Sequence, residues 1–283
     1  MSTAAERWRE DLDAWAIPQA LIDAAPESPF GFPAELFRHR AAGAPSSRAD
    51  SPSTLRALDA LPSAGTVMDV GSGGGNMSLP LAGRASHLTA VDGQADMLAT
   101  FAEAARAAGV EASTILGRWP DVAGDAPTAD VVTCGHVAYN VADLGPFVSA
   151  LHAHAGRRVV MELTDRHPLA WMNDLWFTFH GLTRPDRPKD ADAVDVIHDL
   201  GFAVEREARS KPHTAADGGF ERREDAIALV RRRLCLPANR DDEVAEALGE
   251  RLLERGGLWS AGPSEQTVVT LWWDRPPRTP PED

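Results

Sequence analysis

A glycine-dense stretch flanked by two acidic residues is the part of this sequence with the clearest chemical meaning. Gly71, Gly73 and Gly75 follow a short apolar run. Because glycine has no Cβ, such a turn lets the backbone approach a ligand closely. Asp69 stands two residues before the first glycine, and Asp92 ends the next apolar run. An acid at the tip of the second strand is placed to accept hydrogen bonds from both hydroxyls of a ribose.

Side chains that could move a proton follow the later apolar runs. His136 and Tyr139 come after the fourth run, Glu162 lies near the end of the fifth, and His167 follows it. Histidine is the commonest general base at neutral pH. His136 is the favoured catalytic residue because its loop adjoins the predicted ribose site, and Tyr139 and His167 are the other candidates. A structural histidine, hydrogen-bonded in a loop or at a helix end, is the competing interpretation.

Short apolar runs alternate with amphipathic stretches along most of the chain. This alternation predicts an α/β fold with a parallel sheet covered by helices on both faces. Because the carboxyl ends of parallel strands share one edge, the residues that follow them converge there. Strands are predicted at residues 66–70, 87–92, 112–116, 129–133, 158–163, 202–208 and 266–273.

The amphipathic stretches are predicted to form the helices that cover this sheet. Helices are predicted at residues 94–108, 143–155, 168–180 and 191–200, and two more, at 224–236 and 241–255, precede the last strand. The glycine stretch is also expected to open a helix. Pro80 requires that helix to start near Ser78 or to kink there.

The chain before the first strand has apolar residues at helical spacing interrupted by prolines, which predicts a helical cap. Together with the tryptophan-bearing helix at 168–180, this cap is expected to fold over the carboxyl edge of the sheet as a lid. The predicted organisation is a cap or lid at 1–63, a core at 64–210, a helical insertion at 211–262, a closing strand of the core at 263–275 and a disordered tail at 276–283.

The segment from Asp69 to Gly75, taken with Asp92, resembles the cofactor signature of class I S-adenosylmethionine-dependent methyltransferases. The resemblance implies a Rossmann-like, doubly wound, seven-stranded α/β sheet, here with an N-terminal helical cap and a two-helix insertion before the last strand. It also implies that the glycine loop passes under the amino acid and sulfonium parts of the cofactor and that Asp92 holds the ribose. Asp69 would contact the methionine part or shape the loop.

The same resemblance implies further cofactor contacts after the third and fourth strands. Arg118 and Trp119 occupy the place of adenine contacts, although Trp119 could equally be a buried anchor of its loop. Cys134 begins the segment that lines the methyl-transfer site in the family. The implied cofactor is S-adenosyl-L-methionine, the implied product is S-adenosyl-L-homocysteine, and no metal is expected. The implied cofactor residues are Asp69, Gly71, Ser72, Gly73, Gly75, Asp92, Gly93, Arg118, Trp119 and Cys134.

The composition argues against several classes of partner. The 283 residues carry 28 basic and 42 acidic side chains, and this formal net charge of −14 opposes binding to nucleic acid or to anionic membranes. Two cysteines form no disulfide framework, and neither a signal sequence nor a membrane span is apparent, so a cytoplasmic location is expected. The basic run at 231–233 is interpreted as a solvated helix surface, with contact to an anionic substrate as the alternative.

The absence of several family motifs narrows the expected acceptor. Motifs of DNA amino-, cytosine C5- and protein arginine methyltransferases do not occur in this sequence. The predicted function is therefore methyl transfer to a small organic molecule by in-line displacement, with oxygen or nitrogen favoured over carbon or sulfur. One alternative is a non-catalytic regulatory protein that binds S-adenosylmethionine. The other, less favoured, is an NAD(P)-dependent oxidoreductase, a class that normally lacks an acid at the position of Asp69.

Overall fold

A seven-stranded sheet forms the centre of the structure, a computed structural model that describes residues 2–31, 48–212 and 219–276. The predicted tail from residue 277 onwards and residues 32–47 of the predicted cap lie outside the described residues. The strands of this sheet are β1 (Gly65–Val70), β2 (Ala85–Asp92), β3 (Glu111–Leu116), β4 (Ala129–Gly135), β5 (Ala155–Thr164), β6 (Glu205–Pro212) and β9 (Glu265–Asp274).

The strand order is β3-β2-β1-β4-β5-β9-β6. Strands β1 to β5 run parallel, and β9 runs antiparallel to both of its neighbours. The central strands form because their apolar runs are buried on both faces. In β1, for example, Val67, Met68 and Val70 are at most 1% exposed. The fold-class prediction, a Rossmann-like α/β sheet of the methyltransferase type, is confirmed.

Helices cover both faces of the sheet. The N-terminal helices are α1 (Ala4–Asp13), α2 (Gln19–Ala24) and α3 (Pro52–Ala60). The connections between strands contain α4 (Ala95–Ala107), α5 (Leu144–His154), α6 (Asn173–His180) and α7 (Asp190–Asp199). Two further helices, α8 (Arg223–Arg233) and α9 (Asp241–Leu248), precede the last strand. None of the helices within these described ranges is long and apolar enough to cross a membrane.

The expectation of an α-helix directly after the glycine loop is wrong. Turns follow the loop, and only a single 3-10 turn forms, at Leu79–Leu81. Pro80 sits inside that turn, where it removes a backbone donor and blocks a regular helix. Three glycines with positive φ, Gly71, Gly73 and Gly75, also keep the preceding backbone out of helical geometry.

The prediction of one helix over residues 241–255 is also wrong. Helix α9 ends at Leu248, and Gly249 follows with φ +51°. A hairpin then forms from β7 (Leu252–Arg255) and β8 (Leu258–Ala261). Its two turn residues, Gly256 and Gly257, have φ of +58° and +78°. Two consecutive positive φ values suit a tight hairpin turn, so this glycine pair breaks the helical pattern.

Tryptophans attach the N-terminal helices to the rest of the molecule. Trp8 of α1 is fully buried, and its Nε1 donates to the Val141 carbonyl at 2.8 Å. The Arg184 guanidinium lies between two rings, with its Cζ 5.3 Å from the centroid of Trp15 and 5.1 Å from that of Trp176. Because Trp176 belongs to α6, the chain after α1 and helix α6 pack on the same cation.

The interpretation of residues 231–233 as a solvated surface is wrong for Arg231, which is only 5% exposed. Its Nη1 donates to Glu27 Oε1 at 2.7 Å. Its Nε lies 2.8 Å from Asp241 Oδ1 without hydrogen-bond alignment, so that contact is an ion pair. The Nη2 atoms of Arg232 and Arg233 both donate to the Gly31 carbonyl. The basic run therefore fastens α8 to the chain around residues 27–31.

Candidate functional site

The glycine loop is shaped by close contacts that a side chain would destroy. A Cβ on Gly71, where φ is +67°, would lie 2.3 Å from Cγ2 of Val137. A Cβ on Gly75, where φ is +90°, would lie 2.7 Å from Cδ2 of Phe101. Gly73 differs, because no described atom lies within 4 Å of a Cβ built there. The loop is therefore packed at both ends and open at its middle.

Asp92 ends β2 and holds the open part of this loop. Its Oδ2 accepts a hydrogen bond from the Gly73 amide at 2.9 Å, and its Oδ1 accepts one from the Gln94 amide at 2.9 Å. A carboxylate has about four lone-pair sites, so each oxygen keeps one for a further donor. Leu116, directly opposite Asp92 in the register with β3, is 60% exposed. A carboxylate and an apolar surface thus lie side by side at the carboxyl edge.

Asp69 lies beneath the loop and is 1% exposed. Its Oδ2 accepts from the Ser78 hydroxyl at 2.7 Å, and its Oδ1 accepts from the Thr133 hydroxyl at 3.0 Å. Burial, with a smaller contribution from the charge of Asp92, raises the pKa of Asp69 to about 6 against the opposing effect of these hydrogen bonds. In this structure Asp69 ties β1 to β4 and to the end of the glycine loop.

The remaining predicted cofactor residues are divided between the core and the surface. Gly93 and Arg118 are exposed at the carboxyl edge, whereas the Ser72 side chain is buried. Trp119 is 9% exposed, and its Nε1 donates to the Phe147 carbonyl at 3.4 Å, so its indole anchors the loop. Cys134 is 1% exposed, and burial raises the pKa of its thiol. The thiol is therefore enclosed in the hydrophobic core.

A buried carboxylate holds His136 at the carboxyl ends of β4 and β5. His136 has φ +59°, a strained conformation for a residue other than glycine. Its Nε2 lies 3.1 Å from Oε1 of Glu162 but is not aligned for a hydrogen bond. On its other oxygen, Glu162 accepts from Arg48 Nη2 at 2.5 Å and from the Ser53 hydroxyl at 2.6 Å. The His136 side chain remains 39% exposed, whereas that of Glu162 is 2% exposed.

The charge of Glu162 is stabilised by this cluster. Burial alone would raise the pKa of Glu162, but the contacts with His136 and Arg48 outweigh it and hold that pKa below its ordinary value. Glu162 is therefore ionised at neutral pH. A buried, ionised carboxylate therefore lies against the partly exposed ring of His136.

The other predicted catalytic candidates are Tyr139 and His167. Both belong to an aromatic cluster, and neither takes part in the ion pair between His136 and Glu162. The Tyr139 hydroxyl donates to the Thr164 carbonyl at 2.8 Å, and burial raises the pKa of this 4%-exposed phenol. The His167 ring stacks on Trp15 with centroids 3.8 Å apart and meets Tyr139 edge-on at 5.5 Å. In this structure Tyr139 serves to join the fourth and fifth strand ends.

A cavity of about 280 Å³ opens beside this cluster, between the end of β5 and the start of β9. Since β9 runs antiparallel to β5, its first residues also lie at the carboxyl edge. Its lining combines two prolines, an alanine and an indole with polar and charged side chains, which include Thr164, Asp165, Arg166, His167 and Glu265.

Three residues of the site were not predicted as functional. Arg48 and Ser53 precede the sheet, and Arg48 contacts Glu162 across 114 positions of sequence. No local pattern marks such a pair. Leu116 could have been found, because it is a large apolar residue at the carboxyl end of a predicted strand, where ligands of parallel sheets bind. Among the described residues, no group of three or more His, Cys, Asp or Glu side chains could hold a metal ion.

Known families and solved structures share features of this fold and of the glycine loop. A family model described as a methyltransferase domain matches residues 67–155. The matched segment contains the glycine loop, Asp92 and His136. No curated protein matches the chain at the level of sequence.

Solved structures share the fold at low sequence identity. A provisionally assigned methyltransferase of Bacillus halodurans C-125 (BH2331) has a TM-score of 0.53 at 16% identity, with 78% of this chain and 97% of that chain covered. The YcgJ protein of Bacillus subtilis has a TM-score of 0.52 at 15% identity, with 79% and 97% covered. A cyclopropane-fatty-acyl-phospholipid synthase-like protein of Lactobacillus casei ATCC 334 has 0.52 at 16%, with 94% and 100% covered.

Proposed function

From the premise that this chain is an S-adenosylmethionine-dependent methyltransferase of class I, we propose that it methylates an oxygen or nitrogen of a small organic molecule. The placement of His136 carries the proposal. Its partly exposed side chain contacts the buried carboxylate of Glu162. The next residue, Val137, packs directly on the glycine loop at Gly71. A histidine with a charged partner thus lies beside the cofactor loop.

The loop and its neighbours fit the cofactor of this family. Gly73 leaves space where a side chain would project, and Asp92 keeps free lone pairs for two ribose hydroxyls. The exposed Leu116 offers an apolar surface to the adenine ring. When bound, S-adenosylmethionine supplies a methyl group on a sulfonium, which a lone pair of the acceptor can attack.

His136 removes the proton that an oxygen or nitrogen acceptor must lose. In this proposal Nε2, the nitrogen nearest the Glu162 carboxylate, carries the ring proton, and Nδ1 acts as the base. Nδ1 would take the acceptor's O–H or N–H proton as a lone pair of that oxygen or nitrogen displaces S-adenosylhomocysteine from the methyl carbon. The resulting imidazolium is stabilised by the ionised Glu162. This division of roles explains why a buried acid stands behind a partly exposed histidine.

A small molecule is the acceptor class that this surface favours. The chain has a formal net charge of −14, and its one basic run is used in internal contacts, with Arg231 bound to Glu27 and the next two arginines bound to Gly31. A long anionic partner such as nucleic acid or a membrane surface would therefore be repelled.

Methyl-labelled S-adenosylmethionine tests the proposal directly. The full chain is incubated with the labelled cofactor and fractionated small metabolites, and label in an oxygen or nitrogen methyl group is the expected result. His136→Ala should lower the transfer rate by about 10²- to 10⁴-fold, the usual contribution of a general base. His198→Gln is the matched control because His198 is exposed on α7 and should leave the rate unchanged.

Two results would contradict the proposal. Binding of S-adenosylhomocysteine without label transfer to any fraction would favour a regulatory protein over an enzyme. Transfer at the wild-type rate by His136→Ala would remove His136 from the proton transfer.

A further inference from the structure

The cavity beside β5 opens at the same edge of the sheet as the His136 and Glu162 pair. Glu162 and Thr164 are two residues apart on one strand, so their side chains point to the same face about 7 Å apart. Thr164 belongs to the cavity lining, and Glu162 contacts His136. The cavity and the proposed base therefore lie at the same edge of the sheet, the edge that also holds the glycine loop.

His167 lines this cavity in a defined tautomer. Its Nδ1 lies 3.2 Å from the backbone nitrogen of Leu169, which is a hydrogen-bond donor. A backbone N–H can only donate, so Nδ1 must be the unprotonated, accepting nitrogen. The single proton of the neutral ring is then on Nε2. Within the described part of the chain, Nε2 has no hydrogen-bond partner.

The surroundings of His167 keep the ring neutral. One face is stacked on Trp15, and its edge meets Tyr139. Burial, together with the nearby positive charge of Arg184, lowers the pKa of His167 to about 4. With Nδ1 already accepting and Nε2 protonated, the ring has no free lone pair with which to act as a base. The expectation that His167 is a catalytic base is therefore not supported.

We propose that His167 is a specificity residue whose Nε2–H donates a hydrogen bond to a carbonyl oxygen of a small uncharged acceptor held in the cavity. This assignment of the cavity's occupant as the acceptor rests on the proposed methyl transfer. The uncharged Nε2–H group would recognise an acceptor oxygen. A molecule that lacks this oxygen would bind less tightly, because the buried N–H would then have no hydrogen-bond partner.

The charges that line the cavity favour an uncharged molecule over an anion. Asp165 pairs with Arg166, whose Nε is 3.4 Å from Oδ2 of the acid. The second acid, Glu265, accepts a hydrogen bond from the Ser210 hydroxyl at 3.2 Å. Two acids and one base line the cavity, a formal net charge of −1 that disfavours a carboxylate or phosphate.

A matched pair of probes tests this recognition without the cofactor. Acetophenone carries a carbonyl oxygen, and α-methylstyrene has the same shape with a CH₂ group in its place. Nuclear magnetic resonance of ¹⁵N-histidine-labelled full chain should show His167 as the Nε2–H tautomer. Titration with acetophenone should shift its ring resonance saturably, and acetophenone should bind about fivefold more tightly than α-methylstyrene, the effect of one neutral hydrogen bond.

His167→Phe keeps a ring on Trp15 but removes the donor, and it should abolish this preference. His198→Phe, on the exposed face of α7, should keep it. An Nδ1–H tautomer, failure of acetophenone to bind, or an unchanged preference in His167→Phe would overturn the proposal. Because the titration contains no cofactor, its result is independent of whether methyl transfer is found.

Discussion

At the scale of single residues, the site depends on one buried carboxylate that three other side chains hold in place. Ionised Glu162 would be costly to bury alone, and Arg48, Ser53 and His136 offset that cost by contacting its two oxygens. The same contacts fix the direction in which His136 presents its remaining nitrogen. Residues that stabilise the fold therefore also define the geometry of the base.

The residues of the glycine loop were predictable from sequence, whereas those around Glu162 were not. Gly71 and Asp92 act through backbone geometry that is local and therefore visible in residue spacing. Arg48 reaches Glu162 only after the N-terminal segment has folded onto the sheet, so no spacing encodes the contact. His136 was found because it follows a strand, although the carboxylate that orients it was recognised only as a candidate.

The raised pKa of Asp69 should make the free energy of unfolding fall as pH rises. Its folded-state pKa is raised to about 6 from an ordinary 3.8. Between these values the folded state binds more protons than the unfolded state, so the free energy of unfolding falls as pH rises. Between about pH 4 and pH 6, this shift lowers the free energy of unfolding by about 3 kcal/mol.

Asp69→Asn removes this titration. Urea unfolding at several pH values between 4 and 7 should show the stability of the wild type relative to Asp69→Asn decreasing with pH by about that amount. Asp96→Asn, at an exposed position of α4, is the control and should show a constant difference. A constant difference for Asp69→Asn as well would show that the carboxyl of Asp69 titrates normally.

At the scale of elements, single glycines and prolines decide where a helical pattern of apolar residues stops being a helix. The pattern over 241–255 is helical in composition, yet Gly249 ends α9 and the pair Gly256 and Gly257 closes a hairpin. The stretch after the glycine loop likewise has no room for a helix around Pro80. In both places the backbone preference of one or two residues overrode the periodicity of the apolar ones.

The contact between α8 and the chain around residues 27–31 can be tested through Arg231. Arg231→Met should lower the free energy of unfolding by about 1–3 kcal/mol, because the buried cation bonded to Glu27 is lost. Arg222→Met is the matched control. Its side chain is 70% exposed, and it should change stability by less than about 0.5 kcal/mol. Equal effects of the two substitutions in urea unfolding would show that Arg231 does not fasten these segments.

At the scale of the whole molecule, the sheet order brings the functional parts to one edge. Parallel β1, β2, β4 and β5 all end where the glycine loop, Asp92, His136 and Glu162 lie. The apolar runs of these strands were sufficient to predict the sheet, because strands buried on both faces are nearly continuous runs of apolar residues. The packing of the N-terminal helices around Trp15 and Arg184 was not predictable in detail, since cation and ring come from segments far apart in sequence.

Calorimetric titration with S-adenosylhomocysteine, compared with NAD, tests the account most directly. The full chain should bind S-adenosylhomocysteine and show no comparable binding of NAD. Asp92→Ala should weaken the binding by about 10- to 100-fold, the loss of a charge-assisted contact, while Asp96→Ala leaves it unchanged. Binding of NAD in preference to S-adenosylhomocysteine, or full affinity in Asp92→Ala, would contradict the assignment of this edge as the methyl-donor site.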